Sequence, residues 1–240
     1  MRAPEEDLVR LSERFGLPPT AVPRLDALLT LLTEDPLAPT TLRDRPRAVR
    51  DHLADALVAL DLDVIRSAAT IADLGAGAGV PGLPLAIARP EATVYLVESN
   101  HRKCAFIERA AGAAGAVNAI AVPARAEDWR EGLNRCDVVT ARALAALPVV
   151  AEYAAPLLRD GGALVAWRGQ IDPAEEAAGR RAAAELGLRY RPPVAVRPHR
   201  GAEHRHLQVM VKTQPTPPRF PRRAGMARKR PLGSPAGTGV

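Results

Sequence analysis

From residue 1 to about residue 68 the apolar residues recur three and four apart, the spacing of a helix that buries one face. "EEDLVRLSERFG" closes on Gly16, and "VPRLDALLTLLTED" and "PRAVRDHLADALVALDL" repeat the pattern between prolines at 18, 19, 23, 36, 39 and 46. At Thr70 the texture changes. Short, almost continuously apolar runs, "TIADL", "TVYLVE", "AIAVPAR", "CDVVTAR" and "GALVAWRG", alternate with helical stretches such as "RKCAFIERAAGAAG" and "PAEEAAGRRAAAELG". Strands without polar alternation are covered on both faces, which predicts a parallel sheet between helical layers, a doubly wound α/β domain.

The alternation ends at "YRPPVAVRP" and "HRHLQVMVK", joined by "HRGAE". So short a connection leaves no room for a crossover helix and implies an antiparallel pair. Parallel strands closed by such a hairpin predict the mostly parallel, seven-stranded sheet of class I, Rossmann-like methyltransferases rather than a plain dinucleotide-binding domain. After Lys212 the apolar periodicity disappears and Pro, Gly and Arg take over. The chain therefore divides into an N-terminal helical extension over 1–68, a methyltransferase domain over 69–213 and a basic tail over 214–240, expected to be disordered.

Charge changes the picture once it is located. The formal net charge is +6, and the tail carries Arg219, Arg222, Arg223, Arg228, Lys229 and Arg230 with no acid, so the body before it is neutral by count. Such an arm suits a polyanionic partner such as a nucleic acid, because neutralising phosphates releases counterions whatever the base sequence; the same composition also suits a solvated tail that binds nothing. Deleting the arm is expected to weaken RNA binding and to leave cofactor affinity alone. Cys104 and Cys136 lie in apolar segments without a CxxC or Cys/His cluster, which argues against zinc or a disulfide scaffold, so no metal is expected. The apolar runs are short and interrupted, and the start "MRAPEEDLVR" is acidic, so the expectation is a cytoplasmic, monomeric protein with no membrane partner.

The stretch "IADLGAGAGVPGLPLAIARP" carries the candidate chemistry. Gly75, Gly77 and Gly79 follow the first strand at alternate positions, where the backbone can turn sharply and lie against a ligand with no Cβ in the way. Asp73 ends that strand, placed to anchor the loop or to bind a ligand ammonium. Gly75-x-Gly77-x-Gly79 behind an acid is the adenosylmethionine loop, whereas Gly77-x-Gly79-x-x-Gly82 satisfies the weak dinucleotide pattern. Gly77 falls two residues late for the latter, and Pro81 and Pro84 occupy positions where a helix would present amides to a pyrophosphate. Glu98, at the tip of the second strand, can bridge ribose hydroxyls of either cofactor. Ala126 and Glu127 fall after the third strand, where an adenine would be held, and Trp129 beside them is as readily core packing. Arg142 ends the fourth strand, where a substrate would approach; its plainer role is an ion pair with Glu127 or Asp137.

Several separated stretches together resemble the RsmG (GidB) family of 16S ribosomal RNA guanine-N7 methyltransferases: "RDHLADAL", "DLGAGAGVPGLPLAIARP", "VES" with "RKCAFIERA", "ARAEDW", "DVVTARALAAL", "LVAWRG", "RHLQVMVK" and "RFPRRAGMARKRPL". The resemblance implies S-adenosyl-L-methionine as methyl donor and a guanine in the 530 loop of 16S rRNA, free or in the small ribosomal subunit, as acceptor. It also implies cofactor contacts at Gly75, Val80, Ala126, Glu127 and Arg142. Ala56 stands where the family usually has Ser, and Arg168 where a Lys is usual, which keeps the positive charge but changes its geometry.

Guanine N7 has an in-plane lone pair and needs no catalytic base, so the resemblance implies catalysis by positioning alone. Arg142 and Arg168 are the substrate-side candidates. The sequence agrees, since the α/β region contains no His/Asp or Cys/His constellation. Two other functions would use the same fold: an NAD(P)-dependent oxidoreductase on the Gly77/Gly79/Gly82 pattern, and a non-catalytic rRNA-binding assembly factor.

Overall fold

A computed structural model describes residues 3–233. The N-terminal apolar stripes form α1 (Ala3–Phe15), α2 (Ala21–Glu34) and a third helical run made of α3 (Arg45–Ala48), a π-helical turn over Val49–Ala54, α4 (Asp55–Leu57) and a 3-10 turn over Val58–Asp61. Asp44 caps this run by accepting from the Arg47 N–H, with Pro46 in the first turn, where its missing N–H costs nothing. After α5 (Asp63–Arg66) come β1 (Thr70–Leu74), α6 (Gly82–Ala88), β2 (Thr93–Val97), α7 (His101–Ala113) and β3 (Ala119–Val122). β4 (Cys136–Arg142), α8 (Leu147–Ala154), β5 (Leu158–Arg168), α9 (Pro173–Glu185), β6 (Leu188–Tyr190), β7 (Val194–Val196), β8 (Arg205–Lys212) and α10 (Met226–Lys229) complete the order.

The strands form one sheet in the order β3-β2-β1-β4-β5-β8-β6, with β7 also paired to β8. β3, β2, β1, β4 and β5 are parallel, and β8 runs antiparallel to β5, β6 and β7. The doubly wound sheet with its antiparallel closing strand is therefore as the sequence implies, with one difference. The run expected as a single penultimate strand is broken into β6 and β7, giving eight strands. Pro192 and Pro193 lie in the break and have no N–H to give the ladder, while the Gln208 side chain donates to the Arg191 carbonyl at 2.7 Å.

Two apolar cores lie on opposite faces. Leu8, Phe15, Leu25 and Leu28 pack in one core with Ile71, Leu96 and Val138 of the sheet, so the N-terminal helices form one of its covering layers. The opposite core gathers Leu74, Val139 and Leu164 with α8 and α9.

That second core corrects the expectation of a disordered tail. Phe220 and Ala227 are buried in it, Arg222 forms a two-pronged ion pair with the buried Glu152, and the Arg181 side chain holds the Gly233 carbonyl at 2.7 Å. The segment has too few apolar side chains to show a period, yet two of them and one ion pair fix it to α8. Residues 234–240 of the expected tail lie outside the described residues.

Candidate functional site

At the carboxyl end of the sheet, where β1 gives way to α6, the chain turns through Gly75, Gly77 and Gly79 at φ +65°, +57° and +81°. A side chain at these angles is strained. At Gly75 it would also collide, since a Cβ would sit 2.6 Å from Leu144 Cδ1. The loop is held from below and from the side. Asp73, 1% exposed, accepts the Gly82 N–H at 3.0 Å and the Thr140 hydroxyl at 2.9 Å. Glu98 accepts the Gly77 N–H at 3.1 Å with one oxygen and the Asn100 N–H at 2.9 Å with the other.

Two cavities meet at this loop, and both are lined by Gly75 and Ala143. The first, about 310 Å³, is bordered by Glu98, Ala126, Glu127, Leu144, Tyr153 and Arg228. The second, about 450 Å³, lies on the other side of Gly75 and takes in Gly77, Val80, Arg142, Trp167 and Arg168. Ala143, between them, has φ +53°, a left-handed conformation that a non-glycine residue adopts at a cost of about 1–3 kcal/mol. The sequence holds no sign of that strain.

The structure separates the predicted residues into those that line a cavity and those that support one. Gly75, Gly77, Val80, Glu98, Ala126, Glu127, Arg142 and Arg168 line the paired cavities. Asp73 and Gly79 line neither: Asp73 is the loop's buried anchor, and Gly79 turns the loop into α6, with Leu83 occupying the space where its Cβ would be. Trp129 is core, 5% exposed and packed against Tyr95 with ring centroids 5.2 Å apart.

Arg142 is ion-paired, though with neither carboxylate expected of it. Its Nη1 lies 2.9 Å from Asp55 Oδ2 and donates to the Asp51 carbonyl at 3.0 Å. Both partners come from the π-helical turn and the residue after it, where the Asp55 N–H bonds the Arg50 and His52 carbonyls. Arg205 Nε approaches the other Asp55 oxygen at 3.3 Å, and Trp167 Nε1 donates to the Asp55 carbonyl at 2.7 Å. His52, in the same wall, is held below the usual imidazole range first by burial and then by the Arg142 charge; its Nε2 lies 3.1 Å from the Thr40 hydroxyl. Asp51, His52 and Asp55 are not legible as site residues because helical spacing says nothing of a π turn, and nothing local to β8 marks Arg205 as a partner of Asp55. The first three lie in "RDHLADAL" and Arg205 opens "RHLQVMVK".

Arg168 pairs with Glu175, and its Nη1 is buried without a hydrogen-bond partner among the described residues. An unpaired guanidinium N–H beside a cavity is a vacant donor for a ligand acceptor.

The start of α6 offers nothing to a pyrophosphate. The Gly82 N–H is spent on Asp73, the Leu83 N–H on the Gly79 carbonyl and the Leu85 N–H on the Pro81 carbonyl, and Pro84 has none. The residues fit a nucleoside cofactor without phosphates: a bare loop, a carboxylate at the tip of β2 and a second acid after β3.

Among the expected RNA contacts, Arg222 is given over to Glu152, and Arg219 pairs with Glu185 at 2.9 Å while remaining exposed. Arg223, Arg228, Lys229 and Arg230 are exposed. No group of three or more potential metal ligands is found among the described residues, and no described helix is long and apolar enough to cross a membrane.

A family model described as GidB, rRNA small subunit methyltransferase G, matches residues 33–199. A "Ribosomal RNA small subunit methyltransferase G" of Deinococcus deserti is 40% identical over 235 residues, covering 95% of this chain and 96% of its own. One of Rubrobacter xylanophilus is 41% identical, covering 79% of this chain and 75% of its own. Among solved structures, the Methanococcus jannaschii fibrillarin pre-rRNA processing protein superposes with a TM-score of 0.53 at 18% identity, over 67% of this chain and 74% of its own, a likeness of fold.

Proposed function

The chain belongs to the GidB family, the small-subunit rRNA methyltransferases G, and from that premise we propose that it methylates N7 of a guanine in the 530 loop of 16S rRNA, acting in the cytoplasm on rRNA or a small-subunit particle. The observation that carries the reading is the pair of cavities meeting at Gly75 and Ala143. One suits a nucleoside and the other an amino-acid chain with a base facing it.

S-adenosyl-L-methionine, when bound, supplies an electrophilic methyl group on sulfur. Glu98 would hold the ribose hydroxyls, and Ala126 and Glu127 would border the adenine. Gly75, Gly77 and Val80 would let the rest of the cofactor lie against bare backbone. Asp73 acts one layer down, fixing the loop through the Gly82 N–H.

Guanine N7 needs no proton removed, so the chain has only to orient the base and exclude water. Arg142, kept in place by Asp55 and the Asp51 carbonyl, faces that cavity with a fixed positive charge. Arg168, with its unpaired Nη1, is the donor best placed for a base oxygen or a phosphate. Neither carries a proton to or from the reacting atom, so both are positioning residues.

The test is to map 7-methylguanosine in small-subunit rRNA from cells with and without the gene. Loss of one modified guanine in the 530 loop is the expected result, and an unchanged profile overturns the substrate.

A further inference from the structure

The docked tail reaches the nucleoside cavity, which the substrate reading does not use. The segment is pinned at several points: the Thr216 hydroxyl donates to the Ala155 carbonyl at 3.0 Å, Phe220 is buried, and Arg222 grips Glu152 on α8 while also donating to the Arg230 carbonyl at 2.9 Å. Between these anchors the chain turns at Gly225, φ +81°, a conformation that favours glycine. That turn aims the Gly225 N–H at Glu127 Oε1, 3.0 Å away. One turn later Arg228 donates to the Leu144 carbonyl at 3.0 Å and lines the same cavity as Glu98 and Glu127.

Leu144 is also the residue against which a Cβ on Gly75 would collide. The arm therefore touches two parts of the cofactor machinery: the acid after β3, and the loop after β4 that packs on the glycine turn.

We propose that the C-terminal arm is a clasp on the cofactor site, in which the Gly225 amide orients Glu127 and the Arg228 guanidinium closes the purine end of the cavity. The proposal rests on the cofactor reading above. It reverses the sequence-based expectation that cofactor affinity is indifferent to the arm. A guanidinium plane suits the face of a purine, so Arg228 acts on the nucleoside half of the ligand and the methionine half is unaffected.

The experiment is isothermal calorimetry on the full chain and on Arg228→Ala, with S-adenosylhomocysteine and with adenosine as separate probes. Arg228 is exposed, so the variant keeps its fold, which a thermal melt verifies. The clasp requires the variant to bind both probes about five-fold more weakly, the effect of one stacked guanidinium at a partly exposed site. It also requires exchange of the Gly225 amide hydrogen to slow when S-adenosylhomocysteine saturates the unaltered chain, because a clasp that aids the ligand is held by it in return.

Equal affinities for both probes in variant and unaltered chain overturn the clasp while leaving the cofactor reading intact. Weakening confined to S-adenosylhomocysteine also overturns it, since the arm would then act on the amino-acid half. Failure of the unaltered chain to bind either probe removes the cofactor reading and the clasp together.

Discussion

Asp73→Asn isolates the energetic cost of the charge that anchors the glycine loop. Burial raises the Asp73 carboxyl from the ordinary 3.8 to about 7, against the pull of the hydrogen bonds from Thr140 and Gly82. Between these two values the folded chain keeps a proton that the unfolded chain has released. Stability is therefore full below about pH 4, falls as pH rises toward about 7 and is flat above it. A rise from 3.8 to about 7, at about 1.36 kcal/mol per unit, amounts to about 4 kcal/mol. The asparagine keeps an oxygen for the Gly82 N–H, and the Thr140 hydroxyl can rotate to accept from the new amide, so the variant retains the contacts without the charge. Urea unfolding followed through the buried Trp129 and Trp167 should show the variant gaining on the unaltered chain by about 4 kcal/mol between about pH 4 and pH 8. A stability difference that stays constant across that range refutes the argument, because it would mean that Asp73 has the same proton affinity folded and unfolded.

Gly75→Ala forces a Cβ to within 2.6 Å of Leu144 Cδ1 at a φ of +65°, which should raise the dissociation constant for S-adenosylhomocysteine at least about ten-fold by displacing the loop; calorimetry checks it, and unchanged affinity would show that the loop does not touch the ligand. Arg222→Met leaves the carboxylate of Glu152, whose side chain is 2% exposed, buried without its cation, a loss of about 3–5 kcal/mol. The partner substitution Glu152→Leu in the same chain should restore much of that loss in thermal unfolding, because no buried charge then remains uncompensated.

The parts of this protein that are legible in the sequence are those where local stereochemistry leaves one solution. Short continuous apolar runs bounded by turn residues read as strands covered on both faces, and the short connection between β7 and β8 has no room for a crossover helix. Three alternate glycines read as a ligand loop because each needs the left-handed region, which other residues avoid. Glu98 is legible as a cavity-lining acid from its place at the tip of β2. The π turn is different: apolar residues at three and four apart continue through it, so the register shift that brings Asp51 and Asp55 to Arg142 leaves no mark on the pattern.

Arginines show the same limit more sharply, because a charge count treats them all as equivalent. Arg222 neutralises a buried glutamate, Arg219 forms an exposed pair, and Arg228 lines a cavity while holding a carbonyl. Within ten residues one side-chain chemistry has three environments. What distinguishes them is the acid or carbonyl that folding places opposite, between 34 and 84 residues away in the chain. A segment of such composition reads as disordered because it lacks a repeating apolar face, and packing of that kind is what periodicity detects. It is nevertheless ordered here by Phe220, Ala227 and the buried Arg222–Glu152 pair, together with the hydrogen bonds of Thr216, Gly225, Arg228 and the Gly233 carbonyl. Since that ion pair joins the arm to α8 and the arm borders the cavity through Arg228, the position of each arginine, and not the net charge of the segment, decides what it can contact.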